Sequence, residues 1–162
     1  MSGKIIQINV KPKTTNECGL PKFKVTKAKI TSLNVGEDYN NYRTNSKHST
    51  PDRAVLIYPL ELINQLNTEG WPVKPADLGE NITTSGIDYH EFLPRKKFLL
   101  GNEVIIEITE KCDPCNNLAN LSYIREEKIN SFIKTLVGRR GMYAKVLKEG
   151  MVSEGDNIEK YT

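Results

Sequence analysis

Apolar and polar residues alternate along several short segments of the chain. A strand that is buried on one face shows this period of two, whereas a fully buried strand shows a short apolar run. One or other pattern is found in residues 4–10, 25–33, 54–58, 98–100, 104–108, 143–147 and the end of 150–158. Gly101-Asn102, between two of these segments, is a turn signal that predicts a hairpin. The pattern therefore predicts six or seven short strands.

Two other segments carry apolar residues at helical spacing. The first helix is predicted to open at Pro59, in the first helical position, and to end at Gly70. The second begins near Ser122, a good N-cap, and ends at Gly138. Their apolar faces are formed by Leu62, Ile63 and Leu66, and by Ile129, Phe132, Ile133 and Leu136. Because the strands do not alternate regularly with helices, we expect a mainly β fold, a barrel or sandwich with helical insertions.

The remaining segments are predicted to be loops. Residues 35–52 are almost without apolar side chains, and residues 77–85 are rich in glycine and polar residues. A long loop within a compact domain is usually functional or disordered. The length of 162 residues fits one domain, residues 1–162.

Charge and composition restrict the class of partner. The net charge of +3, from 23 basic and 20 acidic residues, is too small to indicate nucleic acid or an anionic membrane as the partner. The first residues resemble a strand rather than a signal peptide, and no apolar run approaches the roughly 18 residues of a membrane span. We therefore expect a cytoplasmic protein whose cysteines are reduced thiols.

Cys112 and Cys115 form a Cys-x-x-Cys pair that allows several kinds of chemistry. A structural zinc site needs about four ligands, but only Cys18, His48 and His90 could supplement the pair. A thioredoxin-type dithiol opens a helix in a βαβ unit, whereas this pair follows a predicted strand. The simplest alternative is that one or both cysteines are buried as small apolar residues.

Three arginines lie in segments that could hold an anion. Arg53 lies between the long polar loop and a buried strand, where it could clamp a phosphate or pair with a neighbouring carboxylate. Arg139 and Arg140 stand between two glycines, after a helix and before a strand. They could bind an anion or form an exposed basic turn.

A second loop combines a glycine with polar side chains. Asp77, Glu80 and Asn81 surround Gly79, which permits a positive φ or a close approach of the backbone. The three polar side chains could line a pocket or satisfy the amides of their own turn.

Taken in order, these segments resemble the MOSC domain, named after the C-terminal region of molybdenum cofactor sulfurase. The small stand-alone bacterial members are the most similar, and the resemblance covers nearly the whole chain. It rests on Pro51-Asp52-Arg53-Ala54-Val55 with Tyr58 and Leu60-Glu61; Asp77-Leu78-Gly79-Glu80-Asn81-Ile82-Thr83; residues 101–109; Pro114-Cys115 with Leu118; and Gly138-Arg139 through Gly141-Met142-Tyr143-Ala144 with Gly150 and Gly155-Asp156.

The resemblance implies a closed or partly closed β-barrel with two or three helical insertions. It also implies a pocket for the molybdenum cofactor (molybdopterin), a pterin with a dithiolene and a phosphate. Cys115 would be the protein ligand to molybdenum or would carry sulfur as a persulfide, and a soft thiolate suits the first role. The resemblance implies further roles for the other candidates: phosphate binding for Arg53, Arg139 and Arg140, and lining or bracing of the site for Asp77, Glu80 and Asn81.

The chain departs from the family pattern in three places. Val35-Gly36-Glu37-Asp38 stand where many stand-alone members have a glycine-aspartate-basic pattern. Ser49-Thr50 stand where many stand-alone members have a glycine pair. Cys112 is additional to the pattern, and would be a resolving thiol for a persulfide or a bystander. His48 stands near a histidine of some relatives and is assigned no role.

Three functions follow from the resemblance. The first is reduction of N-hydroxylated compounds at a Cys-ligated molybdenum centre, a molybdenum-dependent oxidoreductase acting on a small-molecule substrate. This chain shows no flavin, haem or iron–sulfur motif, so that function needs an electron-donating redox protein as partner. The second is a sulfur carrier that receives sulfur on Cys115 from a cysteine desulfurase. The third is a binding module without enzymatic turnover.

Overall fold

A computed structural model describes residues 2–12, 19–39 and 50–162 of the protein. The described residues form ten strands and two α-helices. In chain order these are β1 (Ser2–Val10), β2 (Phe23–Val25), β3 (Lys27–Ile30), β4 (Val55–Pro59), α1 (Leu60–Thr68), β5 (Ile82–Ser85), β6 (Lys97–Leu100), β7 (Val104–Lys111), α2 (Arg125–Leu136), β8 (Met142–Lys148), β9 (Gly150–Ser153) and β10 (Asn157–Tyr161).

Seven of the strands close into a barrel. Their order is β10-β6-β7-β8-β4-β5-β1, and pairing of β1 with β10 completes the ring. Neighbouring strands are antiparallel except β4 and β5, which are parallel and are connected through α1. Strand β2 pairs with β1 outside the ring, and β3 pairs with β9 in a separate two-stranded sheet. The predicted mainly β fold with a closed barrel is confirmed.

Two hydrophobic clusters lie on the two faces of the barrel strands. Successive side chains of a strand point to opposite faces, so one strand contributes to both clusters. On β4, Ile57 belongs to the cluster inside the barrel, whereas the next residue, Tyr58, packs against the helices outside. The helices contribute Leu62, Leu66 and Phe132 to this outer cluster. We call the space between the helices and the barrel the outer layer.

The prediction that residues 77–85 form a loop is wrong for its second half. Strand β5 occupies Ile82–Ser85, parallel to β4 and antiparallel to β1. Ile82, Thr83 and Thr84 are fully buried, and β-branched threonines pack well in strands. Because threonine counts as polar, the pattern of apolar and polar residues did not indicate this strand.

Other element boundaries differ modestly from those predicted. Residues 25–33 form two strands separated at Thr26, and Leu33 lies in an exposed turn. Pro59 ends β4 and caps α1 instead of occupying its first turn. Helix α2 begins at Arg125, three residues after the predicted N-cap Ser122. The predicted hairpin around Gly101 is confirmed, because Leu100 pairs with Val104.

The described part of the long polar segment is ordered at both ends. Val35 is fully buried and bridges to Ile30, and Pro51–Arg53 forms a 3-10 turn. Residues 40–49 of the predicted loop, including His48, lie outside the described residues, as does Cys18. Neither helix of the described chain is long and apolar enough to cross a membrane.

Candidate functional site

A cavity of about 310 Å³ opens in the outer layer beside the end of β7. Its lining comes from distant parts of the chain: the segment after β1, the 3-10 turn before β4, the loop before β5, the Cys-x-x-Cys segment and the start of β8. Its charged or sulfur-bearing lining residues are Lys22, Arg53, Lys111, Cys112, Asp113, Cys115 and Arg140. Four cations and one carboxylate give the cavity a positive balance.

Arg140 is a buried cation of this cavity. Its side chain is 4% exposed, and its Nε and Nη1 have no hydrogen-bond partner among the described residues. Burial alone lowers the pKa of Arg140, but the nearby Cys112, Tyr143 and Cys115 side chains outweigh it and raise the pKa. The guanidinium therefore stays charged and has unused donors, although buried polar groups are almost always hydrogen-bonded.

A close contact between backbones fixes the position of Arg140. The next residue, Gly141, has φ +106° and accepts a hydrogen bond from the Cys112 amide at 2.9 Å. A Cβ at this position would lie 2.8 Å from the carbonyl oxygen of Ile57 and 3.1 Å from the Tyr58 ring. Only glycine allows the start of β8 to pack so closely on β4. Arg140 is thereby placed beside the cysteine segment.

The two cysteines differ in accessibility. Cys112 is buried, and its thiol lies next to Tyr143, with which it shares a hydrogen bond. Burial first, and then Cys112, raise the pKa of Tyr143 far above its usual range. Cys115 is exposed and immediately precedes a short 3-10 turn whose Leu118 is buried in the outer layer. The thiol of Cys115 is therefore accessible from solvent at the edge of the cavity.

Arg53 is held at the same cavity by neighbours on β7 and β8. Thr50 caps the 3-10 turn, and Thr109 donates a hydrogen bond to the Asp52 carbonyl at 2.6 Å. The Nε of Arg53 donates to Glu110 at 2.6 Å, and the guanidinium lies 5.4 Å from the centroid of the Tyr143 ring.

Lys22 also lines the cavity. It was not among the site residues predicted from the sequence. Its Nζ lies 2.5 Å from Oδ2 of Asp38, and both side chains are almost completely buried. Its amide donates to the carbonyl of Ala76 at 3.0 Å, which joins this segment to the loop before β5. A single lysine after Leu20-Pro21 belongs to no recognisable motif, so the sequence could not indicate that Lys22 lies at the cavity.

The polar residues of the loop before β5 are absent from the cavity lining. Asp77 accepts hydrogen bonds from the Tyr123 hydroxyl at 2.8 Å and from the Lys74 amide at 3.0 Å. Asn81 forms hydrogen bonds with Leu56, Asn9 and Asp38 and so joins β4 to β1. The loop presents Leu78 and Gly79 to the cavity instead.

Glu80 lies buried behind the cavity. Its Oε1 accepts hydrogen bonds from the Ala76 amide at 2.7 Å and the Thr83 hydroxyl at 3.0 Å. Its Oε2 has no partner among the described residues, and neither has the hydroxyl of Tyr58. Burial raises the pKa of Glu80 and of Tyr58, although the charge of Arg140 opposes both shifts. Three buried groups with unused polar atoms are thus coupled in one region of the outer layer.

Arg139 points away from the cavity that its neighbour lines. Its two terminal nitrogens bind the Glu69 carboxylate at 2.6 and 2.8 Å, and its Nε donates to the Thr135 carbonyl at 3.1 Å. These contacts connect the ends of α1 and α2. Arg139 lines a second cavity of about 440 Å³. Of the residues predicted from the sequence, the first cavity therefore brings together Cys115, Arg53 and Arg140.

The protein side chains alone do not form a metal site in the described chain. No group of three or more His, Cys, Asp or Glu residues there could hold a metal ion. The cavity offers thiols and cations. This combination suits an anionic ligand that carries a metal on donor atoms of its own.

Comparison with known proteins identifies the family of the chain. Residues 44–159 match the model of the MOSC domain. YflK, an uncharacterized protein of Bacillus subtilis (strain 168), is 30% identical over 118 residues, and the match covers 69% of this chain and 49% of YflK. The chain thus spans about half the length of that relative.

Solved structures share the fold at low sequence identity. YuaD from Bacillus subtilis has a TM-score of 0.83 at 18% identity, covering 100% of this chain and 98% of YuaD. YiiM from Geobacillus stearothermophilus has a TM-score of 0.74 at 21% identity, covering 99% of this chain and 75% of YiiM. The protein belongs to the MOSC domain family, which is associated with binding of the molybdenum cofactor.

Proposed function

We propose that the cavity beside Cys115 binds the molybdenum cofactor and that the protein reduces N-hydroxylated compounds there. The observation that carries the proposal is Arg140, a buried charged side chain with two nitrogens that have no partner among the described residues, in the same cavity as the accessible thiol of Cys115. A phosphate-bearing anion would satisfy these donors, and charge-assisted hydrogen bonds of this kind are strong.

The residues present fit the chemistry of this cofactor. Arg140 supplies unused donors, and Arg53 and Lys22 add positive charge on two other sides of the cavity. A volume of about 310 Å³ lies at the lower end of the range of roughly 300–1,000 Å³ that is typical of small-molecule sites. The exposed thiol of Cys115 provides the soft donor that a dithiolene-bound metal accepts.

Each part of the site has a separate task in this proposal. Arg140, with Arg53, would hold the phosphate, and Cys115 would be the protein ligand to the metal. When bound, the cofactor supplies a metal centre that can exchange two electrons. Reduction of an N-hydroxylated compound consumes two electrons and two protons, breaks the N–O bond and releases water. The exposure of Cys115 keeps this end of the cavity open to a small substrate.

Molybdenum analysis of matched variants tests the proposal. The protein would be produced in a host that makes the cofactor, as wild type and as the C115S, R140M and R139M variants. We expect near-stoichiometric molybdenum in wild type and R139M, and a loss of at least tenfold in C115S and R140M. Reduction of a hydroxylamine substrate with dithionite as donor should follow the metal content. Retained molybdenum and retained reduction in C115S would exclude this assignment.

A second function is favoured by the exposure of Cys115. A thiol at the surface, beside the cationic cavity, is accessible to a cysteine desulfurase, from whose persulfide it would accept one sulfur atom. Incubation with a desulfurase and cysteine should then add the mass of one sulfur atom to the Cys115 peptide, and reductant should remove it. An unmodified peptide after incubation would contradict the sulfur-carrier function.

A further inference from the structure

The second cavity, of about 440 Å³, opens beside the first and is lined mainly by apolar side chains. Leu62, Ile87, Phe92 and Met142 form its buried part, and Leu93 stands at its edge with 52% of its surface exposed. Lys111 lines both cavities. A group bound in the second cavity would therefore lie next to Lys111, which also lines the candidate cofactor site.

The chain that leaves this cavity is basic. Leu93 and Pro94 are followed by Arg95 and Lys96, both exposed. The Arg95 amide donates to the Ile108 carbonyl at 2.8 Å, and the Ile108 amide donates to the Lys96 carbonyl at 2.9 Å. These bonds fix both residues against β7, the strand that ends at Lys111. Arg95 and Lys96 thus lie beside β7 at Ile108, and Lys111, at the end of the same strand, lies at the edge of both cavities.

These cations are not neutralised within the described chain. Arg95, Lys96 and Lys111 form no ion pair there, whereas Lys145 on the neighbouring strand is paired with Glu107. The two acidic residues that line the second cavity, Glu61 and Asp88, accept hydrogen bonds from the amides of Gly86 and His90.

The backbone of Arg95 supports a role for its side chain. Its φ is +71°, in the left-handed region that favours glycine, asparagine or aspartate. Strained conformations of this kind cluster at functional positions, because the surrounding structure must hold them. A glycine would satisfy the turn at lower cost, but it would remove the cation.

We propose that Leu93, Arg95, Lys96 and Lys111 form the docking surface for an acidic electron-carrier protein, with one apolar side chain of that carrier entering the second cavity. The inference rests on the proposed reductase function, which consumes two electrons at the neighbouring cavity and has no redox cofactor motif of its own to supply them. Two one-electron carriers would each be oxidised once per turnover. Charge complementarity speeds association and sets orientation, and an apolar anchor in a pocket supplies affinity.

The apolar centre favours a protein over a nucleic acid. A nucleic acid would use the cations, but its phosphate backbone offers no apolar side chain for the cavity below Leu93. The net charge of +3 is also small for a nucleic-acid-binding protein. A protein surface can satisfy both features at once.

The test compares charge reversal on this surface with charge reversal elsewhere. R95E/K96E changes the proposed surface, and K27E/K29E makes the same change in charge on exposed positions of β3. Reduced flavodoxin and a reduced plant-type ferredoxin serve as acidic carriers, and dithionite serves as a small-molecule donor. Loaded wild type and variants would be assayed with each donor over a range of salt concentration.

We expect R95E/K96E to lose at least tenfold in kcat/KM with the acidic carriers and to lose the salt dependence of this rate. Its rate with dithionite and its molybdenum content should stay within twofold of wild type, and K27E/K29E should resemble wild type in all assays. L93S should weaken carrier-driven turnover several-fold without changing its salt dependence. An equal loss in K27E/K29E, or no loss in R95E/K96E, would overturn the docking surface.

Direct binding separates this inference from the proposed function. Titration of immobilised oxidised carriers with wild type and both double variants needs neither molybdenum nor turnover. Loss of binding in R95E/K96E alone supports the surface even if no metal is found. Wild type that binds neither carrier, or that binds duplex RNA or phosphatidylserine vesicles through these residues in their place, would refute it.

Discussion

Inside the barrel, the buried residues of β4 and β6 are aliphatic or aromatic and pack against each other. On the other face of the same β4 strand, Tyr58 lies near Glu80 and Arg140, and all three retain buried polar atoms that no other described residue satisfies. Each such atom costs about 1–3 kcal/mol of stability. Among the described residues, the interior has one such atom, the hydroxyl of Thr84 opposite Ile5, whereas the outer layer has several next to a cavity, as a ligand site does.

The largest effect is expected from the barrel interior. Phe98 is fully buried and lies 4.9 Å from Phe92 between ring centroids. Phe98→Ala should lower the free energy of unfolding by about 3–5 kcal/mol, because it removes buried apolar surface and leaves a void. Denaturant titration of the cofactor-free protein measures the loss. A cost below about 1 kcal/mol would mean that the interior can collapse around the void and is no more rigid than the outer layer.

Arg140→Met tests the outer layer, the second region of this comparison. Replacing a buried charge that has unpaired donors with an apolar side chain is often neutral or stabilising. We expect unchanged or higher stability, together with at least a tenfold loss of affinity for inorganic phosphate, measured by calorimetric titration. A loss of stability comparable to that of Phe98→Ala would show that Arg140 supports the fold rather than a ligand.

Glu80→Gln tests whether the outer layer holds a protonated carboxyl group. Burial raises the pKa of Glu80 above its usual value of 4.5, so the folded protein binds more protons than the unfolded chain between these two values. Wild-type stability should therefore fall, relative to that of E80Q, as pH rises above about 4.5, and the difference should level off above the folded pKa. Thermal unfolding from about pH 4 to about pH 9 measures the difference.

The exposed Glu37 provides the control for this series. E37Q removes one exposed carboxylate by the same change of side chain, and it is measured over the same pH series. If E80Q and E37Q follow the same curve, the carboxyl group of Glu80 is ionised in the folded protein.

The smallest effect is expected from Arg139→Met. This arginine differs from Arg140 by one position, but its ion pair with Glu69 is exposed to solvent. Exposed pairs contribute little and are screened by salt. We expect a slight loss of thermal stability at low salt that disappears at high salt, with phosphate affinity equal to that of wild type. A loss of affinity matching that of R140M would contradict the separation of the two arginines.

Periodicity predicted most of the fold. The hairpin around Gly101 and both helices follow from turn residues and from apolar spacing, which are local properties. Strand β5 was missed because its buried threonines count as polar in such a pattern, and their burial depends on pairing with both β1 and β4. Closure of the barrel depends on pairing between the two ends of the chain, which no local pattern reports.

The composition of the site was only partly predictable. Sequence order placed Arg53, Arg140 and Cys115 in one family pattern, and the structure places all three at one cavity. Sequence order could not show that Arg139 and Arg140 line different cavities. Neither helical nor strand periodicity continues through this junction, which is bounded by glycines with positive φ. The contact of Lys22 is set by tertiary packing, far from any motif.

The pairing of β1 with β10, which closes the barrel, also affects how the chain folds during synthesis. Strand β1 pairs on one side with β10, so one edge of β1 stays open until β10 has been synthesised. The same delay applies to β6, whose second neighbour is also β10. Exposed strand edges attract other strands, so the nascent domain remains prone to aggregation until β10 has paired with both.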